Sequence, residues 1–258
     1  MYKKMPVLFV GHGSPMNAIL DNSYTEAIRK STENIPKPEA ILVISAHWET
    51  DGTFITASDS PNQIYDFYGF PQELYDIKYN PTGAKKYAEM VEEELKDSDV
   101  KLTDTWGLDH GAWSVLSHMY PKADIPVFQM SLNRLGDEQY HYNLGKKLSK
   151  LRDKGILIIG SGDIVHNLGR MDYDMNATPF DYATEFDNYI CEAIVNRKHD
   201  NIISYQRIGK SALLSVPTKE HYLPLLYIAG LQEETDKVKF IYKGIQHGSM
   251  SMTSIQIG

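Results

Sequence analysis

Three short apolar runs, residues 7–10, 40–44 and 156–159, each stop at a glycine or serine, with a histidine following within a few positions. Runs this short and this rich in Val and Ile read as strands buried on both faces, as in a parallel sheet. Further strands are expected at 53–57, 100–102, 126–130, 238–242 and 252–257. Helical periodicity or capping predicts helices from Asn22 towards Pro36, then at 85–95, 111–119, 138–152, 182–197, 202–209 and 221–230. Strands alternating with helices define an α/β chain, a three-layer α/β/α sandwich around a mostly parallel mixed sheet. Open sheets of this kind hold ligands at the carboxyl ends of their strands. His12, His47 and His166 are therefore expected on one rim, and convergent imidazoles point to a metal.

The chain is 258 residues long, enough for a full core, and no linker divides it, so residues 1–258 are read as one domain. A net charge of -8 without a basic patch argues against nucleic acid as a partner. No apolar stretch is long enough to span a bilayer, and Met1-Tyr2-Lys3-Lys4-Met5-Pro6 leads into a strand too short for a signal segment. A lone cysteine, Cys191, in a helical pattern reads as an inert core thiol and suits a reducing cytoplasm.

Each histidine has to be weighed against a packing role. His12 stands between Gly11 and Gly13, which allow a sharp turn and close approach to a ligand; a core histidine seldom needs glycine on both sides. His47 precedes Trp48, whose ring could wall a pocket, and His166 follows Gly160-Ser161-Gly162-Asp163, where Asp163 either caps a helix or orients an imidazole. His110 begins a helix, where the helix terminus would keep it neutral. Glu220 and His221 are both metal-ligand types, placed in an early helical turn. His118, His141 and His199 read as structural or solvated, and His247 as a pocket residue without independent support. The segment 62–81 is aromatic and broken by proline, a loop too apolar to lie in water; Tyr65, Phe67, Tyr68 and Trp48 could pack on an aromatic ring or simply fill core. No P-loop, G-x-S-x-G, H-E-x-x-H or dinucleotide fingerprint is present.

Taken in order, Gly11-His12-Gly13-Ser14-Pro15, Ser45-Ala46-His47-Trp48, Asp66 to Pro71, Asp109-His110-Gly111-Ala112-Trp113, Gly160 to Asn167, Glu220 to Leu226 and Gly248 to Met252 resemble the class III extradiol ring-cleavage dioxygenases, the LigB-like family, and within it the 4,5-DOPA extradiol branch. The resemblance implies a non-haem Fe(II) site in the active form, with Zn(II) in purified protein. It implies His12 and His47 as metal ligands, His166 as the catalytic histidine and His110 in contact with substrate or oxygen. Better-studied relatives complete the site with glutamate; here Glu220-His221 stands at that place, and the DOPA branch points to His221. The expected partners are a catechol and O2, with Trp48 and Tyr68 against the ring. A zinc hydrolase using the same imidazoles, and a non-enzymatic binding protein on the same fold, are the rival readings.

Overall fold

The computed structural model describes residues 4–258, so the lead-in at Met1, Tyr2 and Lys3 lies outside the described residues. The strands are β1 (Val7–Gly11), β2 (Ala40–Thr50), β3 (Thr53–Thr56), β4 (Val100–Thr103), β5 (Val127–Asn133), β6 (Ile156–Gly162), β7 (Val238–Tyr242), β8 (Ile245–Gln246), β9 (Met250–Ser251) and β10 (Ser254–Ile257). The helices are α1 (Ser23–Lys30), α2 (Gln72–Asp76), α3 (Lys85–Glu94), α4 (His110–Met119), α5 (Glu138–Lys147), α6 (Asp181–Val195), α7 (His199–Ile203), α8 (Lys210–Ser215) and α9 (Leu223–Gly230). Eight strands form one sheet in the order β4-β3-β5-β2-β6-β1-β10-β7, and β8 pairs with β9. The run β5-β2-β6-β1 is parallel throughout, whereas β10 is antiparallel to both β1 and β7. The carboxyl ends of the parallel strands thus share one rim.

Strand alternation builds the layers. Val7, Phe9, Leu42, Ile44 and Ile158 face one core with Ala88 of α3, Leu144 of α5, Ile190 of α6 and Leu226 of α9. Their neighbours Leu8, Val10, Ile41, Val43 and Ile159 face a second core with Ile28 of α1, Leu74 of α2 and Leu116 of α4. Each such side chain stabilises the fold by about 1.5–3 kcal/mol on burial, so strands apolar on both faces belong in the middle of a sandwich. The mixed α/β/α sandwich expected from the sequence is the architecture found.

Several boundaries differ from expectation. The helix expected at 138–152 leaves α-geometry at Lys147 and tightens into a 3₁₀ turn, Ser149–Lys154. Three residues per turn keep the fully buried Leu148 and Leu151 on one side. The stretch 202–209 splits between α7 and a 3₁₀ turn, Tyr205–Ile208, ended by Gly209. The closing strand expected at 252–257 begins only at Ser254, because the Thr253 N–H turns onto Ser251 Oγ at 3.2 Å. The segment 62–81 contains the short helix α2, begun after Pro71. Among the described residues, no helix is long and apolar enough to cross a membrane.

Candidate metal centre

The rim is assembled by close backbone contacts. As β1 ends, the His12 N–H donates to the carbonyl of Gly162 on β6 (3.2 Å). Gly13 then turns through a left-handed φ of 56°, and its N–H donates to Asp163 Oδ1 at 3.0 Å. In β2, successive side chains point to opposite faces. Ser45 and His47 accordingly share the face of α4, where Ser45 Oγ donates to Asp109 Oδ1 (2.7 Å). Asp109 caps α4 and also accepts from Gln129 Nε2 (2.7 Å), which fixes His110, the first helical residue, beside His47. His221 lies in the turn just before α9 rather than inside its first turn. Its carbonyl accepts from the Asp163 N–H (2.8 Å), and a Cβ on Gly162 would stand 2.2 Å from that carbonyl oxygen.

Five imidazoles meet here. Ring centroids lie 5.0 Å apart for His12–His47, 5.3 Å for His12–His221 and 5.0 Å for His47–His221. His110 sits 3.9 Å from His47 and 5.6 Å from His12, and His166 stacks on His221 at 3.5 Å. The outer nitrogens have oxygen partners. Ser161 Oγ donates to the Gly111 carbonyl (2.6 Å) and so accepts from His12 Nδ1 (3.0 Å). Asp66 Oδ2 faces His47 Nδ1 at 3.1 Å and His110 Nδ1 at 2.9 Å, while Oδ1 accepts the His110 backbone N–H (2.9 Å). Glu220 Oε1 faces His221 Nδ1 at 3.0 Å. With acceptors on every Nδ1, the tautomer assigned to His12, His47 and His221 carries its proton there and leaves Nε2 as a lone pair.

Burial, reinforced by the neighbouring imidazoles, holds His12 and His221 well below the ordinary histidine value. Burial likewise brings His166 down to about 4, with Glu220 pulling the other way. His110 is lowered by burial and by His47, against the pull of Asp66, so burial rather than the helix terminus keeps it neutral. Burial alone would raise Asp66; hydrogen bonds from His110 and His47 outweigh it and hold the carboxyl far below its usual range. His12, His110, His166 and His221 are thus held neutral, with Asp66 ionised beside them, the state in which histidine binds metal.

Fit to an ion can be judged from spacing. Imidazoles bound through Nε2 at about 2.1 Å have centroids roughly 4.5–5.2 Å apart and nitrogens roughly 3.0–3.4 Å apart, between octahedral and tetrahedral angles. The centroids of His12, His47 and His221 match to about 0.1 Å, and His12 Nε2 faces His47 Nε2 at 3.1 Å. Two lone pairs at that distance repel unless a cation or proton stands by them, and His12 resists protonation. Buried Asp163 Oδ2, without a hydrogen-bond partner, lies 3.7 Å from His12 Nε2. Donor atoms within 4.8 Å of one another group His12 with His47 and His110, His12 with Asp163 and His221, and His166 with Glu220 and His221. The donor set fits one divalent ion.

His12, His47, His110, His166 and His221 thus come together, and all but His12 line a cavity of about 560 Å³. Trp48 and Tyr68 do not. Trp48 is adjacent to His47 in β2, so it faces the opposite side and stacks on Trp106 at 5.6 Å. Tyr68 is 91% exposed; Phe67, packed edge-on to His110 at 5.5 Å, and Phe70 are the aromatic residues lining the cavity. Asp163 caps no helix and clasps the Gly13 turn instead. His118 Nε2 donates to the Asn17 carbonyl (2.8 Å), His141 pairs with Tyr227 and His199 with Tyr142 and Gln232, all outside the cavity. Burial raises the Cys191 thiol, as an inert core residue requires. Asp66 and Ser161 escaped the sequence reading. A single carboxylate inside Tyr65-Asp66-Phe67 was the one available signal. Asp66→Asn is expected to weaken divalent-metal binding by about 10–100-fold, measured against a competing chelator; unchanged affinity would remove Asp66 from ligand orientation.

The profile of the family described as "Catalytic LigB subunit of aromatic ring-opening dioxygenase" matches residues 6–257. A protein of Escherichia coli (strain K12) named "4,5-DOPA dioxygenase extradiol" is 42% identical over 259 residues, 99% of this chain and 95% of the relative. One of the same name from Beta vulgaris is 39% identical, over 95% of this chain and 94% of the relative. The crystal structure of an uncharacterized protein from Escherichia coli K12 superposes with a TM-score of 0.86 at 38% identity, covering 98% of this chain and 100% of that one.

Proposed function

The chain belongs to the LigB family of aromatic ring-opening dioxygenases, and on that premise we propose that it opens a DOPA-like catechol by extradiol cleavage, with Fe(II) held by His12, His47 and His221. The observation that carries this reading is the convergence of three imidazole rings, 5.0–5.3 Å apart, whose Nδ1 partners are Ser161, Asp66 and Glu220. Fe(II) held there would supply a place for the catechol oxygens and O2 to bind and the redox chemistry that joins them. Zn(II) in purified protein would occupy the same nitrogens. Glu220 orients His221 rather than replacing it as ligand. The whole matched span acts as one domain, and the lone buried thiol suits the cytoplasm.

His166 moves the proton. Of the five imidazoles it is the one with no hydrogen-bond partner on either ring nitrogen among the described residues, and it lines the cavity. It takes the proton of a catechol hydroxyl on binding and returns it during ring opening. His110, its Nδ1 committed to Asp66, turns Nε2 towards the substrate as a hydrogen-bonding group. Loading metal-free protein with Fe(II) under argon and then admitting O2 should give catechol-dependent oxygen uptake, absent from the Zn(II) form. Ester or amide turnover by the Zn(II) form, without oxygen uptake by the iron form, would make the protein a hydrolase instead. In the iron form, His166→Gln is expected to lower kcat by about 10²–10⁴-fold with metal content unchanged. A loss below about tenfold would assign the proton to another group.

A further inference from the structure

We infer that His247 recognises the substituent of the catechol, its Nε2 accepting a hydrogen bond from an ammonium group carried there. This rests on the catechol reading and deepens it. A volume of about 560 Å³ is that of a small-molecule site, roughly 300–1,000 Å³, and exceeds what a bare catechol ring fills, so a substituent has room. In the proposed reading His47 and His221 hold the metal and His110 and His166 meet the catechol oxygens, which leaves Ser14 and His247 as the polar side chains facing the substituent. Ser14 Oγ accepts the Met16 N–H (3.3 Å) and keeps one neutral O–H to donate. His247 offers the opposite. Its Nδ1 lies 2.8 Å from the Asp172 carbonyl, an oxygen that can only accept, so the tautomer assigned carries its proton on Nδ1 and leaves Nε2 as a lone pair. Nε2 has no hydrogen-bond partner among the described residues. A free acceptor beside a committed donor complements an ammonium, which has donors only.

The backbone places this imidazole for something beyond the turn it sits in. β8 and β9 are joined by Gln246-His247-Gly248-Ser249, closed by the Ser249 N–H on the Gln246 carbonyl (3.2 Å), with φ of 55° and 70° at the two central residues. That is the type I′ form, for which Asn-Gly is the favoured pair. Among the described residues four non-glycine residues have left-handed φ, and of these His247 alone lines the cavity; backbone held this way gathers at ligand clamps. The ring is fixed in place, because the His247 N–H also donates to the Met175 carbonyl (3.0 Å) and its carbonyl accepts from the Asp172 N–H (2.8 Å). The same hairpin carries Met250, which bridges to His166, and His247 is three residues away, at most about 11 Å. One hairpin thus meets both the catechol end and the substituent end of a bound molecule. Charge agrees with a cation: no lysine or arginine lines the cavity among the described residues, and the loop that His247 holds carries Asp172 and Asp174. Asp66 and Glu220 lie outside the lining and are committed to histidines, so His247 Nε2 is the acceptor left for the amine.

Two pairs of catechols that differ by the amine alone supply the test: dopamine against 4-ethylcatechol, and L-DOPA against 3-(3,4-dihydroxyphenyl)propionate. Calorimetric binding to the zinc-loaded protein should give the amine of each pair a Kd at least about tenfold lower, the effect of a hydrogen bond to a charged group. An amine that found no acceptor would lose water for nothing and bind more weakly than its counterpart, so the two results differ in sign. His247→Asn keeps the pair the turn favours and an amide N–H that can serve the Asp172 carbonyl, but removes Nε2. Its Tm should match or exceed the parent's, while the amine preference of both pairs falls to about twofold or less. Should the variant melt lower, the two pairs measured on the parent still decide the point. Equal or weaker binding of the amines by the parent, or a preference that survives His247→Asn, would overturn this inference, while ring opening of the same catechols by the iron-loaded protein would leave catechol cleavage intact. Failure of every catechol to bind and to be opened would overturn both.

Discussion

Replacing His221 with alanine should strip the protein of bound iron, with an affinity loss beyond about a hundredfold and turnover falling in step. The reasoning is comparative: removing a hydrogen-bond partner of a ligand costs about 10–100-fold, so removing the ligand must cost more. The side chain is 9% exposed and its loss leaves a small cavity beside the stacked His166 ring, so the fold should survive. Metal analysis after dialysis, with a thermal melt as control, reads the result. Glu220→Gln separates the two neighbours. An amide oxygen can still face His221 Nδ1, 3.0 Å away in the parent, so iron binding should fall by no more than about 10–100-fold, the effect of weakening an outer partner. A loss equal to that of His221→Ala would place Glu220 among the ligands.

The second large effect is structural in origin and functional in outcome. Gly162→Ala would put a Cβ 2.2 Å from the His221 carbonyl oxygen and 3.1 Å from its carbon, both backbone atoms. Neither can swing away as a side chain would. Overpacking of this kind costs about 1–3 kcal/mol, which for a chain this long lowers Tm by roughly 2–12 °C. The segment that yields is the turn carrying His221, because β6 is bonded on both edges to β1 and β2. Iron affinity should therefore fall together with Tm. A variant that melts lower yet keeps full iron affinity would show that the turn moves without carrying His221 off the site.

The strands and the rim were legible because both depend on local signals. Val-Ile runs buried on two faces announce central strands, and their ends locate His12, His47 and His166. What escaped depends on tertiary contact. Nothing in 62–81 states that its aromatic stretch folds over α4, with Trp113 Nε1 donating to the Ile64 carbonyl at 2.9 Å, which is what delivers Asp66 to His47 and His110. Ser161 gains its role only because Gly111 of another element offers a carbonyl to its hydroxyl. Trp48 is a different case. Strand parity alone places it opposite His47, so its distance from the cavity followed from the same reasoning that located the histidine. The early end of α5 reflects the burial of Leu148 and Leu151, which periodicity alone reads as continued helix.

The central claim is that His12, His47 and His221 grip one ion through Nε2. Anomalous diffraction at the iron edge, on crystals loaded with Fe(II) under argon, addresses it directly. One peak should appear, about 2.1 Å from three Nε2 atoms, with Ser161, Asp66 and Glu220 still on the corresponding Nδ1 atoms. A peak bound instead by His110 or by Asp163, or none at this rim, would contradict the account.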